Sequence, residues 1–324
     1  MRSLIFLVGG IALQGCTTSA PVVRTATVVT SRPTTEWQLV PGWPRLSPGV
    51  RLGEVSGVDL DTRGHVMVFH RAGRAFDRTA TEPIAAPTVV ELDALTGDVI
   101  NSWGAGLFLI PHSITVDSRD NVWLTDVGRH QVFKFSHDGT LVMTVGERRV
   151  PGWDATHFNE PTDVAVAADG SFYVSDGYQN ARVARFSAVG AFVREWGSKG
   201  IAPGQFRTPH GVVLDDRGRL LVADRENSRL QLFDTLGALM RSWPGVHTSG
   251  RVFDIAVSGS GTVYVVRKDG ASAVEILDRD LSQIGRIAFD TSRFVTPHAI
   301  AVQGDSVIYI ADTGGRRVLK FVKR

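Results

Sequence analysis

Residues 111–135 read PHSITVDSRDNVWLTDVGRHQVFKF: an apolar-alternating run, a polar turn, a second run ending in Asp126 and a third ending in Phe135. The same grammar recurs in PTDVAVAADGSFYVSDGYQNARVARF at 161–186 and in PHGVVLDDRGRLLVADRENSRLQLF at 209–233. Alternation of period two is strand patterning, because successive side chains of a strand face opposite sides. The turns DSRDN (117–121), AADGS (167–171), DDRGR (215–219) and SGSGT (258–262) put Asp, Asn or Gly where a hairpin needs positive φ. A fourth strand follows the third, as in LVMTVG at 141–146 and AFVREWG at 191–197. The copies open at Pro111, Pro161 and Pro209, roughly fifty residues apart, which is the length of a four-stranded propeller blade. Weaker copies open near Val55 and Val252, and a last one opens at Pro297 and stops after its third strand at Phe321. Six copies predict an all-β, six-bladed propeller over residues 36–324. The segment Glu36–Val40 is expected to supply the missing fourth strand of the last blade, closing the ring and removing a free sheet edge.

With 43% hydrophobic and 21% charged residues the 324-residue chain is globular in composition, and its net charge of +2 with no basic block excludes a nucleic-acid footprint. Arg2, the apolar run Leu4–Leu13 and then Leu13-Gln14-Gly15-Cys16 form a short signal ending in a sequence similar to the lipobox of bacterial lipoproteins. Residues 1–15 are read as signal peptide, and Cys16, the single cysteine, as the lipidated residue. Residues 16–35, rich in Thr, Ser, Pro and Val, read as a tether to the propeller. The expectation is an extracytoplasmic, membrane-anchored monomer. Thr17 directs it to the outer membrane, facing the periplasm, if the host is Gram-negative. One cysteine leaves no intrachain disulfide, so packing and sheet hydrogen bonds must stabilise the fold.

The residue after each blade-opening position is Ser56, His112, Thr162, His210, Phe253 and His298. Histidine falls in alternate blades only, so three imidazoles about 120° apart on the channel-lining strands would converge on the axis as a three-nitrogen metal site with an open position. The other histidines, such as His65, His130, His137 and His247, lack this symmetry and read as surface residues. A second column, at the end of the second strands, holds His70-Arg71, Asp126, Asp176-Gly177-Tyr178, Asp224-Arg225, Arg267 and Asp312. The repeated Asp reads as a structural turn residue. Arg71, Tyr178 and Arg225 depart from it, on loops that rim one mouth of the channel, where cations above a metal suit a carboxylate-bearing ligand.

The repeat resembles the NHL repeat over about residues 50–324. FHRAGRAF (69–76), LIPHSITVD (109–117), the SDGYQN stretch, PGQFRTPHGVVL (203–214), VADRENSRLQLF (222–233) and TPHAIAV (296–302) are similar, in order and spacing, to the peptidyl-α-hydroxyglycine α-amidating lyases. That resemblance implies zinc on His112, His210 and His298, a catalytic Tyr178, and active-site arginines at Arg71 and Arg225, one gripping the substrate carboxylate and the other favouring the Tyr178 phenolate. Which arginine does which stays open. It also implies cleavage of the C–N bond of an N-acyl-α-hydroxyglycine, free or at a peptide C-terminus, to an amide and glyoxylate. The calcium of the family is not expected, because Ala299 stands where the family has an Asp ligand. Two other functions fit the same fold: a lipid-anchored propeller that binds a protein, peptide or glycan without catalysis, and a metal-dependent enzyme acting on another small hydroxylated or lactone-like carboxylate.

Overall fold

The computed structural model describes residues 24–25, 37–46, 50–244, 250–269, 271–288 and 294–324. The signal peptide and Cys16 lie outside the described residues. Of the tether only Arg24–Thr25 is described, paired in parallel with Arg241 and Ser242 on the outer strand of the fourth blade.

Six antiparallel sheets form the ring. The second blade shows the plan, with strands Pro111–Val116, Val122–Asp126, Gln131–Phe135 and Leu141–Val145 in spatial order from axis to rim. First strands of successive blades open at Val55, Pro111, Pro161, Pro209, Arg251 and Pro297, and each packs against the first strands of both neighbours, the sixth against the first. Trp37–Leu39 pairs antiparallel with Phe321–Lys323 and so completes the last blade, as the sequence leads one to expect. The hairpin turns carry positive φ at matching places, 61° at Asp120, 87° at Gly170, 73° at Gly218 and 85° at Gly261. Positive φ is strained for a residue with a Cβ, which is why three of these four are Gly and the fourth is Asp.

The core lies between blades. A second strand such as Val122–Asp126 is buried along its whole length because both of its faces meet a neighbouring sheet, whereas the rim strand Leu141–Val145 is mostly exposed. Met67 and Phe69 of the first blade interlock with Ile114, Leu124 and Phe133 of the second, with Phe108 edge-on to Phe69 and Phe133 at centroid distances of 5.0 and 5.6 Å.

The Asp column is structural. The carboxylate of Asp126 accepts the amides of Leu109 (2.6 Å), Ile110 (3.1 Å) and Arg129 (3.0 Å), tying the chain that leads into the first strand to the end of the second. Asp224 likewise holds the amide of Arg207 (2.9 Å) and the guanidinium of Arg229 (2.8 Å). In the first blade His70 does this work as a neutral acceptor. Its Nδ1 takes the amides of Gly53 and Ala72 at 3.1 and 2.9 Å, and burial pushes its pKa down to about 4.

Candidate active site

The three axial histidines occupy a recurrent irregularity. In every blade the pairing of first and second strands slips at one residue, between 55 and 57, 111 and 113, 161 and 163, 209 and 211, 252 and 254, and 297 and 299. The skipped residues are Ser56, His112, Thr162, His210, Phe253 and His298. A bulge leaves its extra residue outside the ladder and re-aims its side chain. Here it turns one residue per blade to the axis, and His112, His210 and His298 converge with ring centroids 4.8–4.9 Å apart.

Their Nδ1 atoms meet backbone carbonyls of the intervening blades: His112 to Thr162 (2.6 Å), His210 to Phe253 (2.7 Å) and His298 to Ser56 (2.7 Å). A carbonyl only accepts, so each Nδ1 carries the proton and each Nε2 turns a lone pair to the axis. The bulge residues of the odd blades therefore orient the imidazoles of the even ones. Burial pushes all three pKa values down, His298 to about 3, and the charges of Arg71 on His298 and Arg225 on His210 add to it. Three buried, neutral imidazoles whose outer nitrogens are already tied are a donor set suited to zinc.

Tyr178 lies over this triad. Its hydroxyl is 2.9 Å from Nε2 of His112, 3.3 Å from Nε2 of His210 and 3.4 Å from Nη1 of Arg225. The Arg225 guanidinium sits over the Tyr178 and Phe253 rings at 5.1 and 5.5 Å. Arg71 is on the other side, buried, donating from Nε to the Pro111 carbonyl (3.0 Å) and from Nη1 to Glu54 (2.8 Å). All six residues named from the sequence for metal and chemistry thus come together at one mouth of the channel.

Other residues at this mouth had not been singled out. Arg78, on the long connection between the second and third strands of the first blade, stacks over Phe76 and Tyr178 at 5.0 and 5.4 Å and forms a fork with buried Glu160 (2.8 Å). That connection, residues 71–88, is the long gap between two strands and is the signal that could have found them. Behind the histidines the channel widens into a cavity of about 250 Å³ lined by Asp59, Asp163 and Asp254 of the odd blades and by Ala299. Burial raises the pKa of Asp59 to about 6 and of Asp163 to about 7, and raises that of Asp254, with the Asp163 charge adding to it. Each carboxylate accepts backbone amides, such as those of Val116, Val212 and Ile300.

Comparison with known proteins bears on this geometry. The family described as NHL repeat matches residues 108–135, 158–186 and 206–233. The chain is 33% identical over 305 residues to peptidyl-glycine alpha-amidating monooxygenase B of Xenopus laevis, covering 86% of itself and 35% of that protein. It spans about a third of the length of this relative. With peptidyl-alpha-hydroxyglycine alpha-amidating lyase 2 of Drosophila melanogaster it shares 33% identity over 320 residues, 88% of this chain and 75% of the fly protein. The chain belongs to the peptidyl-α-hydroxyglycine α-amidating lyase family. Among solved structures a streptogramin B lyase superposes with a TM-score of 0.62 at 14% identity, covering 91% of this chain and 100% of that one, a likeness of fold. Ala299 packs at the axis beside His298 with no side-chain oxygen to offer a cation, and the three channel carboxylates come from other blades.

Proposed function

We propose that this chain is a zinc-dependent lyase that converts an N-acyl- or peptidyl-α-hydroxyglycine into an amide and glyoxylate. The observation that carries the reading is the Tyr178 hydroxyl, held against two of the three axial imidazoles and beside the Arg225 guanidinium. His112, His210 and His298 would hold the metal, and zinc bound there supplies a Lewis acid for the carbinol oxygen.

The chain's own groups do the rest. Arg71 and Arg225 flank the triad, so a substrate carboxylate docked at the mouth meets fixed positive charge. Arg225, next to Tyr178, stabilises the phenolate, and Arg71 takes the carboxylate as a fork. Tyr178 removes the hydroxyl proton, the C–N bond breaks as the carbinol carbon becomes an aldehyde, and the proton ends on the departing amide nitrogen. Hydrogen and charge balance without water or a redox partner. The Phe76, Phe253 and Tyr178 rings stack against the two guanidinium groups and hold them in place beside the triad.

The test is glyoxylate release from α-hydroxyhippurate by purified, zinc-loaded protein. Tyr178→Phe keeps the ring and its packing and should lose about 10²-fold or more in kcat while retaining metal. His210→Ala should lose metal and activity together, read by elemental analysis. A folded, metal-loaded wild type that releases no glyoxylate would return the chain to a binding propeller or to another hydroxylated carboxylate.

A further inference from the structure

At the opposite end of the blades from the axial histidines, a second group of metal-ligating side chains joins the first blade to the second. Asp61 and His65 lie on the turn between strands Val55–Leu60 and Val66–His70, Glu91 on strand Val89–Leu92, and His137 on the turn after Gln131–Phe135. Oδ2 of Asp61 is 3.2 Å from Nε2 of His137, and Oε1 of Glu91 is 3.8 Å from it. One donor atom from each of Asp61, Glu91 and His137 lies within 4.8 Å of the others, so a small closing movement would bring them to the roughly 3.3–3.6 Å that separates donors bound at about 2.0–2.2 Å to one tetrahedral ion. His65 and His137, read from the sequence as surface residues, are half-buried partners of two carboxylates that are almost fully buried. That corrects the reading: turn position alone did not show that both turns fold against Glu91.

What stands among the three donors is a cation already. Nη2 of Arg63 is 2.8 Å from Oδ2 of Asp61, 3.3 Å from Oε1 of Glu91 and 2.7 Å from Nε2 of His137. A neutral Nε2 cannot both accept from Arg63 and donate to Asp61, whereas a metal ion would use the imidazole and carboxylate lone pairs together. With both imidazoles neutral, two buried carboxylates and one guanidinium leave a formal charge of −1, and a divalent ion in place of Arg63 would balance the pair. Arg63 can leave, because its side chain is 53% exposed, whereas those of Asp61 and Glu91 are 0% and 4% exposed. His65 is the outer partner that orients the ligands, its Nδ1 2.7 Å from Oε1 of Glu91 and 3.3 Å from Oδ2 of Asp61.

We propose that Asp61, Glu91 and His137 form a second metal site, for a divalent transition ion of the zinc class, with Arg63 as the built-in cation that the ion displaces. Its role is a clip between the first and second blades. Mixed imidazole and carboxylate donors favour zinc, cobalt or nickel over calcium or magnesium. The site is independent of the axial histidines and of the proposed reaction.

Calorimetric titration of zinc into protein whose axial site is already loaded tests it, with elemental analysis for stoichiometry. Wild type should take up one further equivalent. Arg63→Ala should tighten that uptake about tenfold or more, since the competing cation is gone, and His137→Gln should abolish it while leaving the axial zinc and glyoxylate release intact. His210→Ala, which lacks the axial site, should still bind one ion. A wild type that takes up no second equivalent, uptake that survives His137→Gln, or an Arg63→Ala variant that binds no more tightly than wild type overturns the site. An ordinary ion-pair cluster would lose stability on Arg63→Ala and gain no affinity, so the sign of that one change separates the two.

Discussion

Arg71 and Arg225 are equivalent in sequence, each following the end of a second strand, yet their surroundings differ. Arg225 reaches the Tyr178 hydroxyl at 3.4 Å, while Arg71 is anchored by Glu54 and by the Pro111 carbonyl next to His112. Glu54 is itself oriented by the Phe76 amide at 2.9 Å. An arginine beside the proposed base acts on the bond-breaking step, and one that holds the carboxylate acts on ground state and transition state alike. In steady-state kinetics on α-hydroxyhippurate, Arg225→Ala should therefore lower kcat, and Arg71→Ala should mainly raise KM, each by about ten- to a hundredfold. Equal effects of the two on kcat and KM would refute this division of labour.

The elements that carry these residues are held by close approaches as much as by ladders. Tyr178 follows Gly177, where a Cβ would fall 1.8 Å from the Pro209 carbonyl oxygen and 3.1 Å from the Thr162 hydroxyl. That carbonyl belongs to the residue before His210 and accepts the Thr162 hydroxyl at 2.8 Å. The loop bearing the tyrosine and the strand bearing His210 thus touch backbone to backbone, which only glycine permits. Gly177→Ala should cost about 1–3 kcal/mol in denaturant unfolding and lower glyoxylate release, although it removes no functional group. A variant with wild-type stability and activity would show that the two elements are not coupled through this contact.

Over the whole molecule, the six inner strands leave a channel in which Asp163 is buried. Asp163 has its folded pKa raised by burial from 3.8 to about 7, so between pH 4 and 7 the folded state holds more protons than the unfolded one. By linkage this contribution to stability is greatest in acid and is lost as pH rises through the folded value. The Tm difference between wild type and Asp163→Asn should accordingly shift against the wild type from pH 5 to pH 8, and a pH-independent difference would mean that Asp163 is ionised throughout. The ring, its closing strand at Trp37–Leu39, the turns and the histidine column were legible in the sequence, because strand alternation, turn chemistry and a repeat of fixed length are local properties that each copy states again. Asp59, Asp163 and Asp254 could not be read as a channel lining, nor Asp61, Glu91 and His137 as one cluster, because each group draws on more than one blade and nothing local marks the meeting. The same holds for the carbonyls that set the tautomers: Ser56 and His298 are 242 residues apart, and only ring closure brings them to 2.7 Å. The sequence by itself determined which residues each blade presents to the axis; the packing of blade on blade decided which of them meet, since contacts between sheets depend on long-range geometry that no single repeat encodes.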